Sequence, residues 1–193
     1  MAERAWFNVH YYHLNIEVNP SLKFISGFND IHFNVRNASN IMQLDLFENM
    51  LIDSVIYMGQ ICDFYRLHDA FFIIFPKALS EGTHAQIRVY YQGRPIEAIS
   101  PPWDGGFVWK DDEAGLPWIG VSCQGMGASS WWPCKDHLSD KPDSIRVTCS
   151  VPKEVRFIGN GNLESDVEKR DKRISTWKVS YPINTYNITL NIA

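Results

Sequence analysis

Tyr12-His13-Leu14-Asn15-Ile16-Glu17-Val18 sets apolar side chains on the even positions and polar ones on the odd. Successive side chains of a β-strand point to opposite faces, so a period of two describes a strand with one face in a core and the other toward solvent. Working outward, Asn19-Pro20-Ser21 supplies a turn, and Ile25, Gly27, Ile31, Phe33 and Val35 then share one parity against His32, Asn34 and Arg36. The two runs predict a long hairpin. Alternation returns at Met42, Leu44 and Leu46, at Ala85 to Tyr91, at Ile145 to Val151, at Trp177 to Tyr181 and at Tyr186 to Ile192. Leu51 to Met58 and Phe71 to Phe75 are further short apolar runs, the second apolar on both faces, hence central, and closed by Pro76. Gly159-Asn160-Gly161-Asn162 is a turn. No segment carries a helical period of useful length, so the expected fold is all-β, a sandwich or related multi-sheet layer of ten or more strands.

At 193 residues and 45% apolar content the chain is long enough to bury one sizeable core, and residues 1 to 193 read as a single β domain. The last alternation reaches Ala193 without a breaker, which leads us to expect a further domain downstream. A net charge of -4 without runs of like charge lacks the electrostatic footprint of a nucleic-acid partner. Neither a membrane-spanning apolar stretch nor a secretory signal is present, so the expectation is a soluble chain without membrane association, its compartment left open. Cys62, Cys123, Cys134 and Cys149 form no C-x-x-C pair and are expected as free, mostly buried thiols. The sequons at Asn37 and Asn187 bear on a secreted protein alone.

One stretch departs from ordinary strand composition. Pro101 to His137, PPWDGGFVWKDDEAGLPWIGVSCQGMGASSWWPCKDH, holds five of the seven tryptophans, six of the twelve glycines and four of the ten prolines. Gly106 to Trp109 and Pro117 to Ser122 flank a polar, Gly-ended loop and predict a second hairpin. Indoles interleaved with glycine form either a core corner where two sheets meet or a shaped, partly exposed face awaiting a partner.

The candidate chemistry is sparse. His10 and His13 form H-x-x-H, but in a period-2 strand residues three apart point to opposite faces, so the two are not expected to share an ion. Cys134 and His137 have half-site spacing without a second pair, and no H-E-x-x-H occurs, so no metal site is expected in this chain. Cys123 and Cys134 lack a basic neighbour that would activate a thiolate, and Gly125-Met126-Gly127 lacks the third glycine and the helix of a dinucleotide fingerprint. No catalytic residue is expected. Asp104, Asp136 and Asp140 are either paired acids or loop carboxylates bonding their own turns. Gln124 follows an apolar strand and precedes glycines, so it is either a solvated surface residue or an amide presented at a strand end, suited to gripping a peptide terminus.

The string VSCQGMGASSWWPCKD resembles the N-terminal domain of zinc-dependent aminopeptidases of the aminopeptidase N type, in which a Gln or Glu precedes a Pro-Cys-x-Asp-like segment by about ten residues. Here those elements are Gln124 and Pro133-Cys134-Lys135-Asp136. The likeness extends to Tyr12-His13-Leu14-Asn15-Ile16, Tyr91-Gln92-Gly93, Asn160-Gly161-Asn162 and Tyr181-Pro182-Ile183-Asn184-Thr185-Tyr186, and PPWDGGFVW is similar to bacterial members. The resemblance implies a saddle-shaped β domain in front of a separate catalytic domain that carries zinc and the exopeptidase motif, neither of which belongs to these residues. It also implies that Gln124 and Gly125 contact the N-terminus of a peptide substrate, and that Trp103, Trp109, Trp131 and Trp132 face the chain's own downstream catalytic domain. Two departures are Ser122, where many relatives have Gln, and the extra residues His137 to Lys141 before Pro142. A different class fits the same residues: a carbohydrate-binding β-sandwich module stacking sugars on exposed tryptophans, with Asp104 or Asp136 on their hydroxyls.

Overall fold

The computed structural model describes residues 2–193. A one-turn helix, α1 (Ala2–Ala5), precedes fourteen strands: β1 (Phe7–Asn19), β2 (Phe24–Val35), β3 (Ser39–Asp45), β4 (Met50–Tyr57), β5 (Gln60–Leu67), β6 (Ala70–Leu79), β7 (His84–Gly93), β8 (Gly106–Asp111), β9 (Pro117–Ser122), β10 (Ser144–Pro152), β11 (Phe157–Ile158), β12 (Asn162–Lys169), β13 (Lys172–Val179) and β14 (Asn191–Ile192). Ten of them form one sheet in the order β12-β13-β10-β1-β2-β7-β4-β5-β6-β3, and four form a second in the order β11-β14-β9-β8. Every described strand pair is antiparallel except β1 with β10. The architecture is an all-β, sandwich-like arrangement, and no helix among the described residues is long and apolar enough to cross a membrane.

The opening hairpin pairs Val18 with Ile25, Ile16 with Gly27 and Tyr12 with Ile31, as the alternation requires. Tyr12, Leu14, Ile16, Ile25, Ile31 and Phe33 are buried. Strand β5 turns the sheet: Gln60 to Cys62 pair with β4, whereas Asp63 to Leu67 pair with β6. A strand that changes partner in mid-length makes a corner, and here it folds β6 and β3 back over the core. Trp6 then meets Phe7, Phe33 and Phe75 edge to face, 5.2 Å from Phe7 and 6.1 Å from both Phe33 and Phe75. The Trp6 indole N-H donates to the Ile41 carbonyl at 2.7 Å, which fastens the N-terminal segment to the edge strand β3.

Several expectations change. Strand β1 carries a bulge between Val9 and Tyr11. Buried residues sit at Val9 and Tyr12, so the parity shifts at the bulge and His10, Tyr11 and His13 all lie on the open face, not His10 and His13 on opposite faces. There the His10 and His32 rings lie 6.1 Å apart. Pro76 lies inside β6 and does not close it; the irregular pairing with β3 between Ile41 and Ser39 absorbs the missing donor. Tyr186 to Ile192 is not a continuous strand, because Thr185–Asn187 form a 3-10 turn and pairing is confined to Asn191 and Ile192. Strands β5, β11 and β12 are additions. β12 is almost wholly exposed and forms one edge of the large sheet, where Glu164, Asp166, Glu168 and Lys169 discourage pairing with another chain.

Gly27 lies opposite Ile16 in the β1-β2 hairpin, and a Cβ there would overlap the Asn15 carbonyl oxygen and the Ile16 backbone. Gly27→Ala is expected to lower stability by roughly 2 to 4 kcal/mol, read as a shifted urea midpoint, because backbone can relieve the overlap only by breaking the ladder. The open face yields a pH dependence. Burial lowers the affinity of His10, His13 and His32 for protons, and His84, Arg146 and Arg88 act in the same direction against Asp143 and Asp30. With folded values depressed, the unfolded chain takes up protons first as pH falls below about 6.5, so stability present above that pH is lost on acidification. The urea midpoint should fall between pH 7.5 and pH 5.5, and fall less in His32→Asn; an equal fall in both would contradict this origin.

Candidate functional site

The Trp-rich stretch begins with the hairpin of β8 and β9, closed by Asp112, whose carboxylate accepts the N-H groups of Ala114 and Leu116, both at 2.8 Å. Strand β9 ends at Ser122, and the Cys123 carbonyl then accepts the N-H groups of Met126 and Gly127, both at 3.0 Å. This closes a tight turn with Gly125 at its third position and φ of 71°, a conformation that favours glycine. Gln124 occupies the outer corner and is exposed. Its N-H donates to the Ser122 hydroxyl at 3.3 Å, and its side-chain Oε1 accepts from the Tyr186 hydroxyl at 2.8 Å. Ser122 thus serves the turn's main chain. Space beside Gly125 is open, and a groove of about 460 Å³ runs past Gly125, Met126, Gly127, Leu138 and Tyr186.

The turn is held from behind by the segment that follows it. Gly127, at φ of 87°, lies so close to the Asp136 carboxylate that a Cβ would overlap Oδ2. That same oxygen accepts from the Ser129 N-H at 2.9 Å and the Ser129 hydroxyl at 2.7 Å. Cys134 exchanges main-chain hydrogen bonds with Asp45, and the Asp136 N-H donates to Asp45 Oδ2 at 2.9 Å. Arg4 pairs with the other oxygen of Asp45. The Lys135 ammonium lies on the Phe7 carbonyl at 2.8 Å and on Asp140 at 3.4 Å. Burial pushes the Asp45 carboxyl above its ordinary range, and Arg4 and the Asp136 N-H offset this in part.

Gln124 and Gly125 lie together at the exposed corner, but the four tryptophans do not share a face. Trp103 is 82% exposed, whereas Trp131 and Trp132 are fully buried, so the expectation that these two indoles meet a neighbouring domain is corrected. They fill the junction of the sheets, Trp131 6.0 Å from Phe107 and Trp132 5.0 Å from Tyr12. Trp109 is partly buried and stacks on Phe107 at 5.2 Å. Tyr186 was missed by sequence reasoning because it looked like one more apolar position of a final strand.

The remaining candidates resolve into structural roles. Asp104 accepts the N-H groups of Ile99 and Ser100, both at 2.7 Å, Asp136 braces Ser129, and Asp140 pairs with Lys135. All four cysteines are free and buried, and burial pushes the Cys123 thiol up to about 11, which leaves it protonated and inert at neutral pH. A larger hollow, about 650 Å³, lies over the end of β4, the turn after it and the paired strand β7, yet Arg88, its one strong charge, is already held by both oxygens of Asp30 at 2.6 and 2.7 Å. Among the described residues no group of three or more His, Cys, Asp or Glu converges to hold a metal ion.

Replacing Gly127 tests the brace. Gly127→Ala is expected to push Asp136 off Ser129, to speed hydrogen exchange at the Ser129 amide at least tenfold, and to lower stability by about 1 to 3 kcal/mol. Unchanged exchange would show that the turn is held by other contacts.

No protein-family model and no curated protein matches the chain. Solved structures do. An M1 zinc metallopeptidase of Deinococcus radiodurans, in a variant form, superposes with a TM-score of 0.83 at 23% identity over 98% of this chain and 42% of that one. A variant from the same organism bound to a Tyr-Ser-Ala substrate gives 0.81 at 23% identity over 98% and 43%. Native leukotriene A4 hydrolase of Saccharomyces cerevisiae gives 0.70 at 18% identity over 96% and 28%. The chain therefore spans less than half the length of the structures it matches. At these identities the likeness concerns the backbone, and by it this chain has the fold of the N-terminal domain of M1 zinc metallopeptidases.

Proposed function

We propose that the chain is the substrate-cleft domain of a zinc metallo-aminopeptidase that removes N-terminal amino acids from peptides, and that Gln124 anchors the substrate's free amino group. The observation that carries this reading is an exposed amide at the tip of a braced turn, its carbonyl oxygen held by one hydroxyl with a second lone pair free, beside an open groove. An ammonium is a donor without an acceptor, so an amide oxygen, or a carboxylate, is the partner it requires. Gly125 lets the peptide approach the backbone because nothing occupies the space where a side chain would stand.

The neighbours support this assignment in kind. Two of the neighbouring structures are two-domain M1 zinc metallopeptidase variants, bound to L-tryptophan and to L-arginine, and the Deinococcus radiodurans variant is bound to a Tyr-Ser-Ala substrate. On this reading zinc and the general base belong to a downstream catalytic domain, since hydrolytic metal catalysis needs about three protein ligands around an open position and the described residues converge on no such set. This chain's contribution is binding and orientation. Trp103, with Ile99 beside it at 94% exposure, is the apolar surface we assign to the contact with that domain.

In the full-length polypeptide that carries this chain, Gln124→Ala is expected to reduce kcat/KM on free-amine peptides about ten- to a hundredfold, the equivalent of roughly 1.5 to 3 kcal/mol for a hydrogen bond to a charged group. Gln124→Glu should keep or improve it, because a carboxylate still accepts and adds charge. An N-acetylated peptide, lacking the ammonium, should be turned over poorly by all three forms. Unchanged kinetics in Gln124→Ala would end the anchor assignment, and specific retention of the domain on a polysaccharide gel would favour a sugar-binding module instead.

A further inference from the structure

We infer that Tyr186 is a positioning residue that selects which face of the Gln124 amide the substrate meets; this rests on the amine-anchor reading above. A glutamine amide is ambiguous, since rotation about its last bond exchanges a carbonyl oxygen for an NH2 group of similar size. One orientation accepts from an ammonium. The other points N-H groups at it and repels it. At an exposed turn, water satisfies both, so the backbone alone leaves the amide undecided. The Tyr186 hydroxyl donates to Oε1 at 2.8 Å. A phenol donates more strongly than it accepts, because its lone pair is delocalised into the ring, so it favours this accepting orientation over the flipped one in which the NH2 group would donate to it, and the second lone pair of Oε1 is left for an ammonium.

The hydroxyl is itself fixed. Tyr186 belongs to the turn Thr185–Asn187, its neighbours Thr185 and Ile188 are buried, and its ring packs against the core while forming one side of the groove. It reaches Gln124 across 62 residues of chain, so the orientation of the amide depends on the chain's final segment as well as on the turn that carries it. A phenylalanine would keep the ring's packing and delete the donor alone.

Glutamate needs no such selection, because its two oxygens are equivalent acceptors. The test is therefore a double-mutant cycle in the full-length polypeptide on a free-amine peptide, using Tyr186→Phe, Gln124→Glu and the combination, with Gln124→Ala as reference. In the Gln124 background Tyr186→Phe should lower kcat/KM about three- to tenfold, the range for one neutral hydrogen bond. The loss should lie in KM and not kcat, as expected when ground state and transition state lose the same binding contact. In the Gln124→Glu background the same substitution should cost less than twofold, with the thermal midpoint unmoved in both. A loss of equal size in both backgrounds would make Tyr186 a packing residue, and no loss in the Gln124 background would remove its role; either result overturns the inference while a large Gln124→Ala effect leaves the anchor standing. A silent Gln124→Ala variant would instead remove the anchor and this inference together.

Discussion

Asp45 stands at the end of an edge strand, and its buried carboxylate ties two distant parts of the chain to it, Arg4 from the N-terminal helix and the Asp136 N-H from the Trp-rich stretch, while Gln43 of its own strand donates to it at 3.4 Å. Its main chain is paired as well, in both directions, with Cys134. A carboxylate taken out of water is tolerated only when its lone pairs are filled, and removal of one partner from such a buried pair costs roughly 3 to 5 kcal/mol. The geometry of the exposed Gln124 corner follows from this buried group. Asp45 places Asp136, Asp136 holds Ser129 against Gly127, and Gly127 closes the turn that presents Gln124.

The two indoles next to that chain of contacts explain why the brace is rigid. Trp131 and Trp132 lie edge-on to one another at 6.1 Å and occupy the junction of the sheets, so the segment that carries Asp136 cannot slide without opening the core. Pro133 adds a buried hydrogen bond, its carbonyl accepting from Asn29 at 2.8 Å. The Trp-Trp-Pro-Cys-Lys-Asp run is thus a structural clasp, and the exposed Gln124 corner that it braces lies outside it.

How much of this was legible in the sequence depended on whether a local rule held. The period of two in Tyr12 to Val18 and in Ile145 to Val151 identified strands and their buried faces, because each of those strands has one wet face and one dry one. It failed at His10, where one bulged residue reverses the parity without any mark in composition. It was silent for β12, whose nearly all-exposed side chains leave no pattern, and misleading from Tyr186 to Ile192, where apolar spacing met a 3-10 turn. The exposed position of Gln124 followed from the strand before it and the glycines after it. Its partner Tyr186 did not, since nothing within a window of neighbouring residues states that a segment 62 positions later returns to the same corner.

The single parallel pairing in the large sheet has a consequence for how the molecule is made. Strands β1 and β10 lie side by side, Tyr12 opposite Ile145 and Ile16 opposite Cys149, although more than a hundred residues separate them. The first strand therefore emerges from the ribosome long before the neighbour on one of its flanks exists, and at roughly 5 to 20 residues per second that interval lasts several seconds or more. The β1-β2 hairpin, a local pairing, is available at once, whereas the large sheet is completed only when β10, β12 and β13 have been translated. Tyr186 is synthesised later still. In the order of biosynthesis, the corner that presents Gln124 gains its Tyr186 contact only after every strand of the large sheet has been made.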